Sequence, residues 1–254
     1  MTSDTLGTIS IVSHGHGTML ASLLRDLEAQ AGIERWLVLV TLNIPERFDP
    51  AAYPGLRIGV IENAAPRGFG ANHNAAGREA EGALLLVVNP DIRLPAGDTL
   101  ARIAAGGSNG GALRAPLVVN SSGQREDSVR TNMTPLSLFL RVIRRKMKRV
   151  DGEPQAVRPG QFFWVAGMFL ILDRRVFAEL GGFDERFFLY CEDYDLCARL
   201  VNSGHRIELL PEVSVVHDAQ RASHRSFRHL RWHLTGLFKV WTSRPYWRIV
   251  MNSR

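Results

Sequence analysis

Cysteine is nearly absent: of 254 residues only Cys191 and Cys197 are thiols, six apart and outside any metal-ligand spacing. Neither a disulfide framework nor a zinc site is expected, and a reducing cytoplasm fits. No window approaches the roughly 18 apolar residues of a spanning helix. The opening MTSDTLGTISIV has no basic segment followed by an apolar run, so no secretory leader is expected. Any membrane contact should therefore be peripheral. Internal repeats and low-complexity segments are also missing. At 45% hydrophobic and 22% charged residues the composition is far from disordered or collagen-like chains. Acids are in deficit, with 31 Lys and Arg against 25 Asp and Glu, a net charge of +6. That balance implies an anionic partner, whether nucleic acid, a phospholipid surface or a phosphorylated substrate, and does not choose among them.

What is present is a repeating pattern of strands and helices. Residues 8–13, 36–42, 56–61 and 83–88 are short apolar runs, the last uniformly apolar as a central parallel strand should be. Between them, Leu20, Leu23, Leu24 and Leu27 recur at helical spacing, and residues 70–81 are small and helix-compatible. The alternation predicts an α/β fold, a mostly parallel central sheet with helices on both faces. Further on, 112–119 is apolar, 120–134 polar, and 135–150 a basic amphipathic helix bearing Arg141, Arg144, Arg145, Lys148 and Arg149. Residues 162–172 follow as an apolar strand or hairpin, then helices near 174–180 and 192–202, strands near 206–210 and 213–216, and a basic helix from about Ser226. The length suits one main domain over residues 1–218, with a basic amphipathic helical tail, 219–254, packed on it.

Three segments carry candidate chemistry. In GGFDERFFLYCEDYDLCARL, residues 181–200, helical spacing puts Asp193 on one face with Leu196, Cys197 and Leu200, while Glu192, Asp195 and Arg199 share another. A first-turn carboxylate on an apolar face can be held partly buried and aimed into a cleft, as a general base must be. The alternative use of these acids is to complement a helix N-terminus. The run 83–88 stops at Asn89-Pro90-Asp91, because proline cannot donate to a sheet ladder. Ligand sites of open α/β sheets lie beyond strand carboxyl ends, and an aspartate there can hold a hard divalent cation. His217 closes the run SVVH and is a second metal-ligand candidate. In NAAPRGFGANHNAA, residues 63–76, Gly68 and Gly70 permit close backbone approach, with a helix N-terminus facing a pyrophosphate. The third glycine and trailing acid of the dinucleotide fingerprint are missing.

The order GFGANHN, VVNPDI, VAGMFLILDRRVFAELGGFDERFFLYCEDYDLCARL and a terminal His217 resembles the rhamnosyltransferase-like branch of family-2 glycosyltransferases over roughly residues 8–240. The resemblance implies a GT-A fold and an inverting transfer with Asp193 as base. It implies that Asp91 and His217 hold Mg2+ or Mn2+, with Asn89 where relatives carry the first acid of D-x-D. Donor contacts would come from Ser13, His14, Gly15, Asn43, Asn63, Gly68, Phe69, Gly70, Asn72, Asn74, Asn89, Asp91 and Gly167, and acceptor-side contacts from Trp164, Glu192 and Arg145. Two departures bear on base recognition: Ser13-His14-Gly15-His16 replaces a Thr-Tyr-Asn turn, and Thr41-Leu42-Asn43 lacks an aspartate found in many relatives. By the resemblance the donor is dTDP-rhamnose, with a uridine nucleotide sugar second, and the acceptor a glycan or a polyprenyl-diphosphate-linked glycan of a bacterial surface polysaccharide. The basic helices would then meet anionic lipid at the inner face of the cytoplasmic membrane, with no nucleic acid involved. The competing readings are a nucleotidyltransferase and a non-catalytic module binding membrane or polyanion.

Overall fold

Strand β1 (Gly7–Ser13) starts the sheet, and the apolar runs that follow it become β2 (Trp36–Leu42), β3 (Arg57–Glu62) and β4 (Leu84–Val88). The computed structural model describes residues 5–95, 97–106, 111–135, 160–217 and 227–252. Among these, β5 (Ile92–Arg93), β6 (Gly111–Val119), β7 (Val129–Thr131), β8 (Phe163–Val165), β9 (Phe169–Asp173) and β10 (Arg206–His217) complete the strands. Eight strands form one sheet in the order β3-β2-β1-β4-β9-β6-β10-β5, and β7 pairs with β8 separately. β9 runs antiparallel between β4 and β6, and β5 antiparallel to β10; the other pairings in the large sheet are parallel. The mostly parallel sheet expected from the sequence is therefore present.

Both faces are covered, which the uniformly apolar central strands require. Along β4, Leu86 and Val88 join one apolar cluster with Leu20, Leu23, Leu24 and Leu27 of α1 (Gly17–Glu28). Leu85 and Val87 point to the opposite cluster, shared with Phe177 of α4 (Arg174–Glu179) and Leu196, Cys197 and Leu200 of α5 (Glu192–Asn202). The same cluster takes in Leu237 and Val240 of α6 (Phe227–Trp241) and Tyr246 and Ile249 of α7 (Arg244–Asn252). Helices α2 (Phe69–Glu79) and α3 (Thr99–Ala105) complete the set described.

Where the structure departs from the sequence reading, the reasons are local. The two strands expected near 206–216 are one strand, β10, whose register against β6 shifts between Leu210 and Ser214, where Pro211 can donate no hydrogen bond. The basic helix expected over 135–150, with Arg145, lies outside the described residues apart from Pro135, as does the expected domain boundary at 218. Asp195 pairs with Arg199 as the spacing predicts, at 2.7 Å, yet its side of α5 is buried, leaving Asp195 3% exposed. The same guanidinium donates to the carbonyls of Leu180 and Gly182, each at 2.7 Å, and so clips the 180–182 turn to α5. Arg199→Ala would leave a buried carboxylate and two carbonyls without their partner. The expected loss is about 3 kcal/mol of stability, read as a lower urea midpoint; an unchanged midpoint would refute the clip.

Candidate active site

Four neighbouring parallel strands end in polar residues along one edge of the sheet. Ser13 ends β1, and Asn43, Asn63 and Asn89 directly follow β2, β3 and β4. Strand carboxyl ends are where open α/β sheets bind ligands. Asn43 and Asn63 are wired to each other and to α2: Asn63 Nδ2 donates to Asn43 Oδ1 (2.9 Å) and Asn72 Oδ1 (2.7 Å). Asn43 in turn accepts from the Arg67 amide at 2.8 Å and donates to the Arg67 carbonyl at 3.0 Å. These three asparagines thus hold the 63–68 loop in shape. His14 approaches Asn43 Nδ2 at 3.2 Å, and the Ser13 hydroxyl accepts from the His16 amide at 3.2 Å, with Gly15 between them at φ +76°.

The glycine-rich segment has a different use from the one expected. A Cβ on Gly68 would meet the Phe188 carbonyl at 2.7 Å, and one on Gly70 would meet Phe183 Cβ at 2.6 Å. The Phe69 amide, the first of α2, donates to that Phe188 carbonyl at 2.8 Å. The helix start expected to face a pyrophosphate is therefore packed against the 183–188 loop. Asn74 lies further along α2 and also serves this loop, exchanging hydrogen bonds of 2.8 Å with the Phe183 amide and carbonyl.

At the end of β4, the Asn89-Pro90-Asp91 turn is closed by an Ile92 amide to Asn89 carbonyl bond of 3.2 Å. Ile92 pairs with His217 across β5 and β10, and that register brings the two metal-ligand candidates together. His217 Nε2 lies 3.2 Å from Asp91 Oδ2, and Nδ1 lies 2.6 Å from Glu126 Oε2. Burial lowers the imidazole's pKa, but the two carboxylates outweigh it and hold His217 at about 9. The other oxygen of Asp91, Oδ1, is buried with no hydrogen-bond partner among the described residues. An acceptor atom in that condition beside an imidazole suits a hard cation. Among the described residues no three His, Cys, Asp or Glu side chains converge as a complete ligand set.

Asp193 stands in the first turn of α5, half-buried. Its Oδ2 accepts from the Gly167 amide at 3.1 Å and its Oδ1 from the Tyr194 amide at 2.8 Å. The next residue after Gly167, Met168, accepts from the Asn89 amide at 2.9 Å. Two consecutive residues of the β8–β9 connection therefore touch both the base candidate and the turn that carries Asp91. Tyr190 and Cys191, just before the helix, have φ of 73° and 70°, a strained region for residues other than glycine. Burial pushes the Asp193 carboxyl up, while Arg130 and the amide donors pull it back, leaving it above the usual carboxylate range. Neighbouring Glu192 is 4% exposed and its Oε2 has no hydrogen-bond partner among the described residues; burial, with Asp193 beside it, raises its pKa well above normal.

Set beside known proteins, the chain matches the family described as Glycosyltransferase like family 2 over residues 136–241. It is 28% identical over 249 residues to the rhamnosyltransferase WbbL of Escherichia coli, covering 91% of this chain and 90% of that protein. The chain thus resembles the rhamnosyltransferase-like glycosyltransferases of family 2. It is 29% identical to the N-acetylglucosaminyl-diphospho-decaprenol L-rhamnosyltransferase of Mycobacterium tuberculosis over 157 residues, 56% of this chain and 48% of that one. The mannosyltransferase PcManGT of Pyrobaculum calidifontis, solved with GDP-Man and Mn2+, superposes with a TM-score of 0.62 at 17% identity, over 96% of this chain and 68% of that chain. The fold is GT-A, as expected. Neither the nucleotidyltransferase nor the binding-module reading draws support from these likenesses.

Around Asp193, the residues expected on the acceptor side are placed differently from the expectation, and Arg130 joins them. Trp164 is 3% exposed, with its indole donating to the Thr131 carbonyl at 3.0 Å and its ring edge-on to Tyr194. What faces Asp193 is the residue stacked on that indole, Arg130, its guanidinium 5.1 Å from the ring centroid and held by Asp127 at 3.3 Å. Arg145 lies outside the described residues. Glu126 and Arg130 belong to the polar stretch 120–134, which has no local motif to mark them. For a carboxylate that works ionised, activity is present above its pKa and lost as pH falls through it. The acid limb of kcat/KM should lie above the usual carboxylate range, and Arg130→Gln, which removes a lowering influence, should move it to higher pH. A limb that stays in place or moves down would separate Arg130 from Asp193.

Proposed function

We propose that the protein transfers L-rhamnose from a thymidine diphosphosugar to a hydroxyl of a lipid-linked glycan acceptor, in one displacement that inverts the anomeric centre. The observation that carries this reading is the placement of Asp193, a half-buried carboxylate whose Gly167 contact is one residue from the Met168 contact to the Asn89–Asp91 turn. The named activities of the two rhamnosyltransferase relatives support the sugar, and the decaprenol-linked substrate in one of those names supports the acceptor class. The nucleobase follows from the sequence resemblance alone.

In this reading the strand-end residues Ser13, Asn43 and Asn63 shape the donor side, and the ligands offered to Mg2+ or Mn2+ are the unpartnered Asp91 Oδ1 and His217 Nε2, which gives up its proton when the cation binds. Such a cation, when bound, neutralises charge on the diphosphate and retains water and phosphate oxygens as further ligands. Glu126, hydrogen-bonded to the far nitrogen of His217, fixes the ring's orientation toward Asp91. Asp193 takes the proton from the acceptor hydroxyl as that oxygen attacks the anomeric carbon from the face opposite the nucleotide. Its raised pKa makes it a stronger base than a solvated carboxylate. Arg130 lies where an acceptor phosphate or hydroxyl can meet a fixed cation.

Donor binding with Mn2+ by calorimetry, run beside turnover at saturating donor, tests the assignment. Asp193→Asn should bind donor as the wild type does and lose a factor on the order of 10²–10⁴ in turnover, the usual contribution of a positioned base. Asp91→Asn should lose the metal-dependent part of donor binding. Near-normal turnover in the first variant, or unchanged metal dependence in the second, removes that residue from its role.

A further inference from the structure

Positive charge is concentrated at one end of the chain. Eight Lys and Arg and no Asp or Glu follow Asp218, leaving 23 basic against 25 acidic residues in the remainder. The described part of that end is α6 and α7. One face of α6, with Gly236, Leu237 and Val240, is buried in the core. The opposite face is apolar too, with Phe227, Leu230, Leu234 and Phe238 exposed at 83, 53, 57 and 66%. At about 100° per residue these four fall within roughly 80° of arc, and Arg231 and then Arg228 follow along one border. α7 repeats the pattern: Tyr246 and Ile249 face inward, while Trp247 and Met251 are 52% and 63% exposed beside exposed Arg244 and Arg248.

A helix whose outer side meets only water is polar there. An outer apolar stripe bordered by arginines, with no acid in either helix, has the make-up of an interfacial helix. We propose that the α6–α7 face docks this protein on an anionic phospholipid surface, with the stripe at the headgroup–acyl boundary and Arg228, Arg231, Arg244 and Arg248 against lipid phosphates. Charge selects this occupant: a second copy would bring two acid-free, cationic faces together, a like-charge juxtaposition that opposes association. Among the described residues no helix is long and apolar enough to cross a membrane, so the contact is peripheral.

The inner side of the same helix reaches the base. His229 Nδ1 lies 2.9 Å from the Tyr190 hydroxyl, and a Cβ on Gly236 would meet the Tyr190 carbonyl at 2.9 Å and Cys191 Sγ at 3.1 Å. Docking therefore sets the segment before Asp193 beside the lipid surface. The use of that placement rests on the lipid-linked acceptor proposed above; the docking itself does not.

Co-sedimentation of the full chain with phosphatidylcholine vesicles, with and without phosphatidylglycerol, tests the surface. Binding should be at least about tenfold tighter to the anionic vesicles and should weaken as salt is raised. Leu234→Ser with Phe238→Ser should cut partitioning about tenfold, and Arg231→Gln or Arg248→Gln about fivefold each, with thermal unfolding unchanged because all four side chains are exposed. Equal binding to both vesicles, or undiminished binding in the stripe variant, overturns the proposal. So does vesicle-free self-association that the stripe variant abolishes, which would make the face a contact between copies. Transfer to lipid-linked and to short water-soluble acceptors is measured on the same samples. If vesicle binding behaves as expected while the lipid-linked acceptor has no advantage, docking stands and the acceptor assignment falls.

Discussion

The site depends on one short bridge of backbone, Gly167-Met168. The Gly167 amide holds the carboxylate of Asp193 and the Met168 carbonyl holds the Asn89 amide, so two consecutive residues link the start of α5 to the end of β4. Asp193 and the Asn89–Asp91 turn come from segments about a hundred residues apart, and neither alone has a reason to sit at a fixed separation from the other. A displacement reaction needs that separation held closely, since small misplacements of reacting groups cost orders of magnitude in rate. The bridge needs glycine for room: a Cβ on residue 167 would press on the Phe69 ring at 3.2 Å and stand 3.9 Å from Asp193 Cβ.

The other features of the site are supports for this bridge. Two successive left-handed residues, Tyr190 and Cys191, start α5 at the angle that turns Asp193 toward Gly167, at a cost of order 1–3 kcal/mol each. That strain persists because Tyr190 is hydrogen-bonded to His229, Gly236 packs on both residues, and Arg199 clips the preceding turn to the helix. Helix α2 contributes too, its first amide and Asn74 both bonded to the 183–188 loop. The start of α2 and the loop that leads to Asp193 are consequently one packed unit.

Much of this was legible in the sequence. The strand ends at Ser13, Asn43, Asn63 and Asn89 follow from where apolar runs stop, and helix 192–202 from its spacing, because both are local patterns. Asp91 and His217 were candidates for one metal site from their places at strand ends and by the family resemblance; in the structure they meet through β5–β10 pairing across more than a hundred residues. Local periodicity misjudged Asp195, since a helix buried on two sides has no polar face to reveal. The packing of Gly68, Gly70 and Asn74 against the 183–188 loop had no local signal either, because a glycine that admits a phosphate and one that admits a phenylalanine look alike in one dimension. Glu126 and Arg130 had no signal at all, their partners His217 and Asp193 being 91 residues away in the first case and on helix α5, far along the chain from β7, in the second.

In the proposed reaction a single carboxylate, Asp193, activates the acceptor for direct attack on the donor sugar. The anomeric configuration of the linkage formed, read by NMR of the product against that of the nucleotide sugar consumed, tests this most directly. Direct attack with one base predicts complete inversion. Retention of configuration would require an intermediate formed on the opposite face, and would contradict the assignment of Asp193 as a base acting in one displacement.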